Sequence, residues 1–137
     1  MKVAFDTNVL IDAIVEQREY LDAQTLILAV AQEKIEGLIT ASSITDIYYI
    51  LRKRIGHERA KAAIRNLLDL FEVADISGKI CQKALELPMK DFEDAVLAIC
   101  AKEAGAARLV TGDAAFLSET GSPIKVVTVK ELLADIL

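Results

Sequence analysis

Lys2-Val3-Ala4-Phe5-Asp6-Thr7-Asn8 is the stretch whose reading decides the fold. Lys2 to Phe5 reads as a short strand. It passes without a linker into an acid and two small polar residues, and an apolar stretch then continues through Ile14. The rest of the chain repeats that alternation of short β-like runs and longer helical patterns. A helix is predicted from about Glu19 to Glu33, with Leu21, Thr25, Leu28 and Ala29 near helical spacing. Gly37 to Thr40 is a second strand, and Ser42-Ser43 opens a helix that runs to about Arg54 and stops at Gly56. His57 to Leu70 is amphipathic and helical. Phe71 to Ala74 is a third strand, Ser77 starts a helix that ends before Pro88, and Asp91 to Ala104 is a further helix. Arg108 to Thr111 and Lys125 to Val127 are the last two strands, and Val129 to Leu137 closes the chain as a helix. Strands separated by helices imply parallel pairing through right-handed crossovers, hence a three-layer α/β/α sandwich on a parallel sheet of about five strands. Strand order does not follow from the sequence.

The bulk properties agree. The 137 residues suit a single domain, 1–137, with one core. An apolar fraction of 53% favours strands buried on both faces. No apolar run approaches the roughly 18 residues of a membrane span, and Asp6 interrupts any leader-like segment, so a cytoplasmic protein without membrane contact is expected. Cys81 and Cys100 lack metal-ligand spacing and read as reduced, buried residues. His57 reads as a solvated turn residue.

Net charge is −5, which argues against indiscriminate binding to nucleic acid. The charge is unevenly spread. Arg52, Lys53, Arg54, Arg59, Lys61 and Arg65 share their stretch with one acid, Glu58, which leaves 10 basic and 20 acidic residues elsewhere from totals of 16 and 21. That basic stretch is either a contact for RNA phosphates or an ordinary solvated surface. Tyr48 and Tyr49 lie beside Ile47, Ile50 and Leu51, where core or interface packing is favoured over base stacking.

In an open parallel sheet, ligands bind beyond the carboxyl ends of the strands. Four acids fall in that region. Asp6 follows the first strand, and Asp46 lies in the first turn of the helix after the second. Asp94 lies one turn into the helix before the fourth strand. Asp113 follows that strand after Thr111-Gly112, where glycine permits a sharp turn. Each has a plain structural reading as a helix cap or first-turn acid, worth about 0.3–1 kcal/mol against the helix dipole. The joint reading is stronger. No Lys or Arg occurs from Val3 through Glu16, so a charge emerging from the core at Asp6 lacks a local partner. Carboxylates gathered at one sheet edge raise one another's pKa or demand cations. Hard divalent ions take such oxygen ligands and promote phosphodiester hydrolysis.

Two other uses of an aspartate after a strand fit less well. Haloacid-dehalogenase-like phosphatases place a second aspartate two residues later, where this chain has Asn8. Response-regulator receivers need an acidic pair near the first strand and a lysine after the last, whereas Asp6 has no acidic neighbour and Lys125 begins its strand.

Four motifs resemble those of PIN domains. Phe5-Asp6-Thr7-Asn8-Val9-Leu10-Ile11-Asp12 is similar to the family's opening, and Thr45-Asp46-Ile47-Tyr48-Tyr49 to its second acidic motif. Lys90-Asp91-Phe92-Glu93-Asp94-Ala95 resembles the third, and Val110-Thr111-Gly112-Asp113-Ala114-Ala115-Phe116 the fourth. The order is the family's, and the likeness is greatest to its bacterial toxin-like branch, the VapC group. The resemblance implies Mg²⁺- or Mn²⁺-dependent cleavage of RNA, frequent homodimers and often an inhibitory antitoxin partner. Carried over, Asp6, Asp94 and Asp113 match metal-binding acids and Asp46 the second-motif acid; Thr7, Asn8 and Thr111 match supporting polar residues. The second motif more often carries glutamate, and Asp46 is one methylene shorter. Asp91 shares a helix face with Asp94, which Glu93 does not, and ranks second to it as a ligand. The competing expectation is an interaction module of the same fold with little catalysis.

Overall fold

The computed structural model describes all 137 residues. Five parallel strands, β1 (Lys2–Phe5), β2 (Glu36–Thr40), β3 (Glu72–Ala74), β4 (Arg108–Val110) and β5 (Val126–Val127), form one sheet in the order β3-β2-β1-β4-β5. Seven helices connect them and an eighth follows β5: α1 (Thr7–Val15), α2 (Tyr20–Ala31), α3 (Ala41–Ile55), α4 (His57–Leu70), α5 (Gly78–Leu85), α6 (Phe92–Glu103), α7 (Ala114–Leu117) and, last, α8 (Val129–Ile136).

The pleat sorts the sheet's residues between two cores, because successive side chains in a strand point to opposite faces. Val3, Phe5, Ile39, Val110 and Val127 pack against α1, α2, α3, α4 and α8. Their strand neighbours Ala4, Leu38 and Leu109 face the other way, onto α6 and Phe116 of α7. A smaller group ties α5 to α6 through Ile80, Ala84, Val96 and Cys100. The three-layer α/β/α expectation therefore holds.

Strand order supplies what the sequence withheld. The chain moves from β1 outward through β2 to β3, then returns to the opposite side of β1 as β4, pairing Phe5 with Val110. The crossovers diverge at the carboxyl ends of β1 and β4, which opens a crevice there. Asp6 and Asp113 stand on its two sides, one residue past β1 and three past β4.

Three local expectations are corrected. The helix after β2 starts at Ala41, not at Ser42-Ser43, because Thr40 ends the strand and caps the helix at once, its Oγ1 accepting from Ser43 N at 3.2 Å. Asp46 is consequently in the second turn of α3 rather than the first. Gly112 has no left-handed backbone. A Cβ there would lie 3.3 Å from Asn8 Oδ1, so glycine serves the close approach of that amide rather than a sharp turn. Of the cysteines, Cys100 is buried as expected, whereas Cys81 is only partly so. His57 is exposed at the start of α4, where its Nδ1 is hydrogen-bonded to the Tyr48 hydroxyl.

No helix is long and apolar enough to cross a membrane.

Candidate metal centre

The buried polar residues of the chain mark the place. They are Asp12, Thr40, Ser43 and Thr111, and three of them belong to one network beneath the crevice. Thr7 Oγ1 donates to Ser43 Oγ at 2.9 Å, and Thr40 Oγ1 donates to the same oxygen at 3.1 Å. Thr111 Oγ1 donates to Asp6 Oδ2 at 2.8 Å and accepts from Asp113 N at 3.0 Å. A single hydroxyl thus ties the acid after β1 to the acid after β4.

Asn8 completes the brace. Its Oδ1 accepts from Gly112 N at 2.9 Å, which fixes the amide so that Nδ2 donates to Asp6 Oδ2 at 3.0 Å. Asp6 also caps α1, its Oδ1 accepting from Thr7 N at 2.8 Å. Burial pushes the Asp6 pKa above the ordinary carboxylate value, bonds from Thr111, Thr7 and Asn8 pull it back, and Asp113 adds an upward push. The net direction is upward. Both oxygens of Asp6 are therefore held by donors in a place that disfavours its charge.

Asp94 is held differently. The α6 cap is Asp91, whose Oδ1 accepts from Asp94 N at 3.0 Å, and Asp91 N in turn donates to Glu119 at 3.0 Å. The side chain of Asp94 takes no part in that cap. Burial first, then the charges of Asp91, Asp6, Asp113 and Glu119, push its pKa up to about 7. Capping explains Asp91 and, through Ala115 N at 2.9 Å, one oxygen of Asp113. It explains neither Asp94 nor Asp46.

A cavity of about 560 Å³ brings these acids together. Asp6, Asp46, Asp91, Asp94 and Asp113 line it, as do Thr7 and Asn8. Glu93 lines it too, although it does not share the helix face of Asp91 and Asp94, as do Val96 and Leu97 of the same helix. Thr111 lies under it, bonded to Asp6. The sequence reading missed Asp12, Gln17, Arg18, Thr40 and Ser43. Asp12 carried a legible signal, as a lone acid in the apolar run Val9-Leu10-Ile11-Asp12-Ala13, four residues after Asn8 and so on its helix face. Arg18 and Gln17 carried none, since they sit in the short α1–α2 loop.

The donor set is carboxylate and hydroxyl oxygen, which suits a hard divalent ion. No three of these acids stand close enough together to hold an ion unaided. They line a space with room for an ion that keeps part of its water, as Mg²⁺ commonly does while using only one or two carboxylates.

Comparison with known proteins bears on the family and the fold. Residues 2–115 match the sequence profile of the PIN domain. Ribonuclease VapC1 of Aquifex aeolicus (strain VF5) is 29% identical over 137 residues, spanning 95% of this chain and 92% of its own. Among solved structures, VapBC2 from Rickettsia felis, bound to a DNA fragment from its promoter, superposes with a TM-score of 0.69 at 20% identity, covering 93% of this chain and 98% of the other. The VapC20 toxin of Mycobacterium tuberculosis, described as cleaving the sarcin-ricin loop, gives 0.66 at 16% identity, covering 83% and 92%. At these identities the structural likeness speaks to the fold.

Proposed function

The chain belongs to the PIN-domain family, and on that premise we propose that it is a Mg²⁺- or Mn²⁺-dependent endoribonuclease, the toxin of a toxin–antitoxin pair. The observation that carries this reading is Asp94, a carboxylate with no hydrogen-bond partner of its own, whose pKa burial and the acids around it raise to about 7. Such an arrangement costs stability unless a cation shares the site. A bound divalent ion supplies what the carboxylates lack, charge to offset the phosphodiester and the acidification of water.

In this reading Asp6, Asp94 and Asp113 hold the ions and Asp46 borders the site from α3. Thr111 and Asn8 fix the direction of the Asp6 carboxylate, and Thr7 links it to the Ser43–Thr40 network. Asp91 serves chiefly as the cap of α6 and holds its backbone in place. One of these carboxylates also accepts the proton of the attacking water. The named relative and neighbours support RNA as substrate and an antitoxin as protein partner; the homodimer is carried over from the family.

Purified protein incubated with single-stranded RNA cleaves it in millimolar Mn²⁺ and leaves it intact in EDTA. RNA that survives in both conditions, across a set of unrelated sequences, contradicts the hydrolase reading. It would favour the second one, an interaction module with little catalysis, for which the observation is that no three acids converge on a point.

A further inference from the structure

The cavity is acidic almost throughout. Seven carboxylates line it, from Asp6, Asp12, Asp46, Asp91, Glu93, Asp94 and Asp113, against one basic residue, Arg18. A polyanionic substrate entering such a space gains from any ions held there and otherwise meets repulsion. The position of that one guanidinium is therefore informative. Arg18 is exposed, and the chain's four ion pairs all lie elsewhere, at Lys2–Glu72, His57–Glu58, Lys83–Glu103 and Lys130–Glu19. Its backbone is left-handed, with φ 54°, in a loop where Glu16 is left-handed too, at φ 56°. That conformation is unfavourable for a side chain with a Cβ. The loop nevertheless delivers arginine to the rim.

Tyr49 stands on the same rim. It is 59% exposed and lines the cavity, three residues after Asp46 and next to Ile50, which also lines it. The two tyrosines of α3 have parted company. Tyr48 packs against the core and bonds to His57, and its ring meets that of Tyr49 edge-to-face at 5.1 Å. The Tyr49 ring stays largely open to solvent beside that contact. Of the core or interface packing expected for both from the sequence, the core contact is made by Tyr48 alone.

The basic stretch begins where this rim ends. Lys53 follows Asp46 and Tyr49 on one face of α3 at helical spacing. Arg54 Nη1 donates to Gln17 Oε1 at 3.2 Å, and Gln17 Nε2 donates to the buried Asp12 at 2.9 Å. The α1–α2 loop and the basic end of α3 are thus fastened to each other beside the cavity.

We propose that Tyr49 and Arg18 form the nucleotide-binding rim of this site, Tyr49 stacking on a base of single-stranded RNA and Arg18 pairing with a phosphate next to the one at the carboxylates. The strand then leaves along Lys53 and Arg54. Single-stranded RNA is the substrate form this rim fits, because a ring face can be used only by a base free of its own stack. Stacking of this kind tolerates any base, so the rim sets strand form rather than sequence. The inference rests on the ribonuclease reading and deepens it.

The test is binding and cleavage of a short fluorescein-labelled single-stranded oligoribonucleotide by wild type, Tyr49→Ala, Tyr49→Phe and Arg18→Asn. Asparagine is chosen because it adopts the left-handed conformation more readily than most residues, which keeps the loop. Melting temperatures check that each variant is folded. Tyr49→Ala is expected to weaken binding roughly tenfold, with Tyr49→Phe near wild type. Arg18→Asn is expected to lower the slope of log affinity against log salt by about 0.7, the value of one phosphate contact on a single strand. KM should rise in both weakened variants, with kcat changing less. Wild-type cleavage together with unchanged binding and salt slope in Tyr49→Ala and Arg18→Asn overturns the rim and leaves the ribonuclease reading standing. The same result with loss of antitoxin binding also overturns it and assigns the rim to a protein partner. A wild type that neither binds nor cleaves the oligoribonucleotide removes both readings.

Discussion

Asp94→Asn and Asp6→Asn each cut Mn²⁺-dependent RNA cleavage by more than the roughly 10–100-fold that loss of a group merely supporting a metal ligand costs. Both changes keep side-chain shape while removing a charge. At Asp94 no hydrogen bond of the fold depends on that charge, because the α6 cap is supplied by Asp91 and the Asp94 carboxylate makes none of its own. At Asp6 an amide oxygen can keep either the bond from Thr7 or those from Thr111 and Asn8, because the two sets fall on different carboxylate oxygens. Asp94→Asn is therefore the cleaner variant. Cleavage by it at the wild-type rate removes Asp94 from the reaction. A parallel series at Asp113 separates function from capping, since asparagine is nearly as good a cap as aspartate.

The second large effect has the opposite sign. In EDTA at pH 8, Asp94→Asn melts at a higher temperature than wild type. The carboxyl group titrates at about 7 in the fold, against an ordinary value of 3.8. Between those values the folded chain holds a proton that the unfolded chain has released, so wild-type stability falls as pH rises through the window. Above about pH 7 the folded protein carries an ionised Asp94 among Asp91, Asp6 and Asp113, and the whole penalty is present. Asparagine is free of it. The advantage of the variant should shrink steadily toward pH 4 and should also shrink when Mn²⁺ supplies the missing countercharge. A variant less stable than wild type at pH 8 in EDTA would show that Asp94 is there to build the helix.

The fold was largely legible because its signals are local. The apolar run Lys2–Phe5, the stop at Gly56 and the break before Pro88 delimit elements whose ends moved by only a residue or two. Strand order was not legible. It depends on which side of β1 the chain returns to as β4, a long-range choice that no local pattern in the strands records. The acids were found through position, at strand ends and in helix first turns, and the structure gathers all four round one cavity. The floor beneath them was not found. Thr40 and Ser43 read as a strand end and a helix start, and only the direct passage from β2 into α3 turns them inward. The same passage moved Asp46 out of the first turn and set Tyr49, three residues on, at the rim. Arg18 was invisible for a different reason: a loop residue in a left-handed conformation follows no periodicity.

The central claim is that these carboxylates hold divalent ions, and thermal unfolding with EDTA and with millimolar Mn²⁺ tests it most directly on wild type and Asp6→Asn. At a metal concentration about a hundredfold above the dissociation constant, binding to the folded state alone contributes about 2.7 kcal/mol, or roughly 9 °C for a chain of this length. The account predicts a rise of that order for wild type and its loss in Asp6→Asn. No shift in wild type, or an equal shift in both proteins, would contradict it.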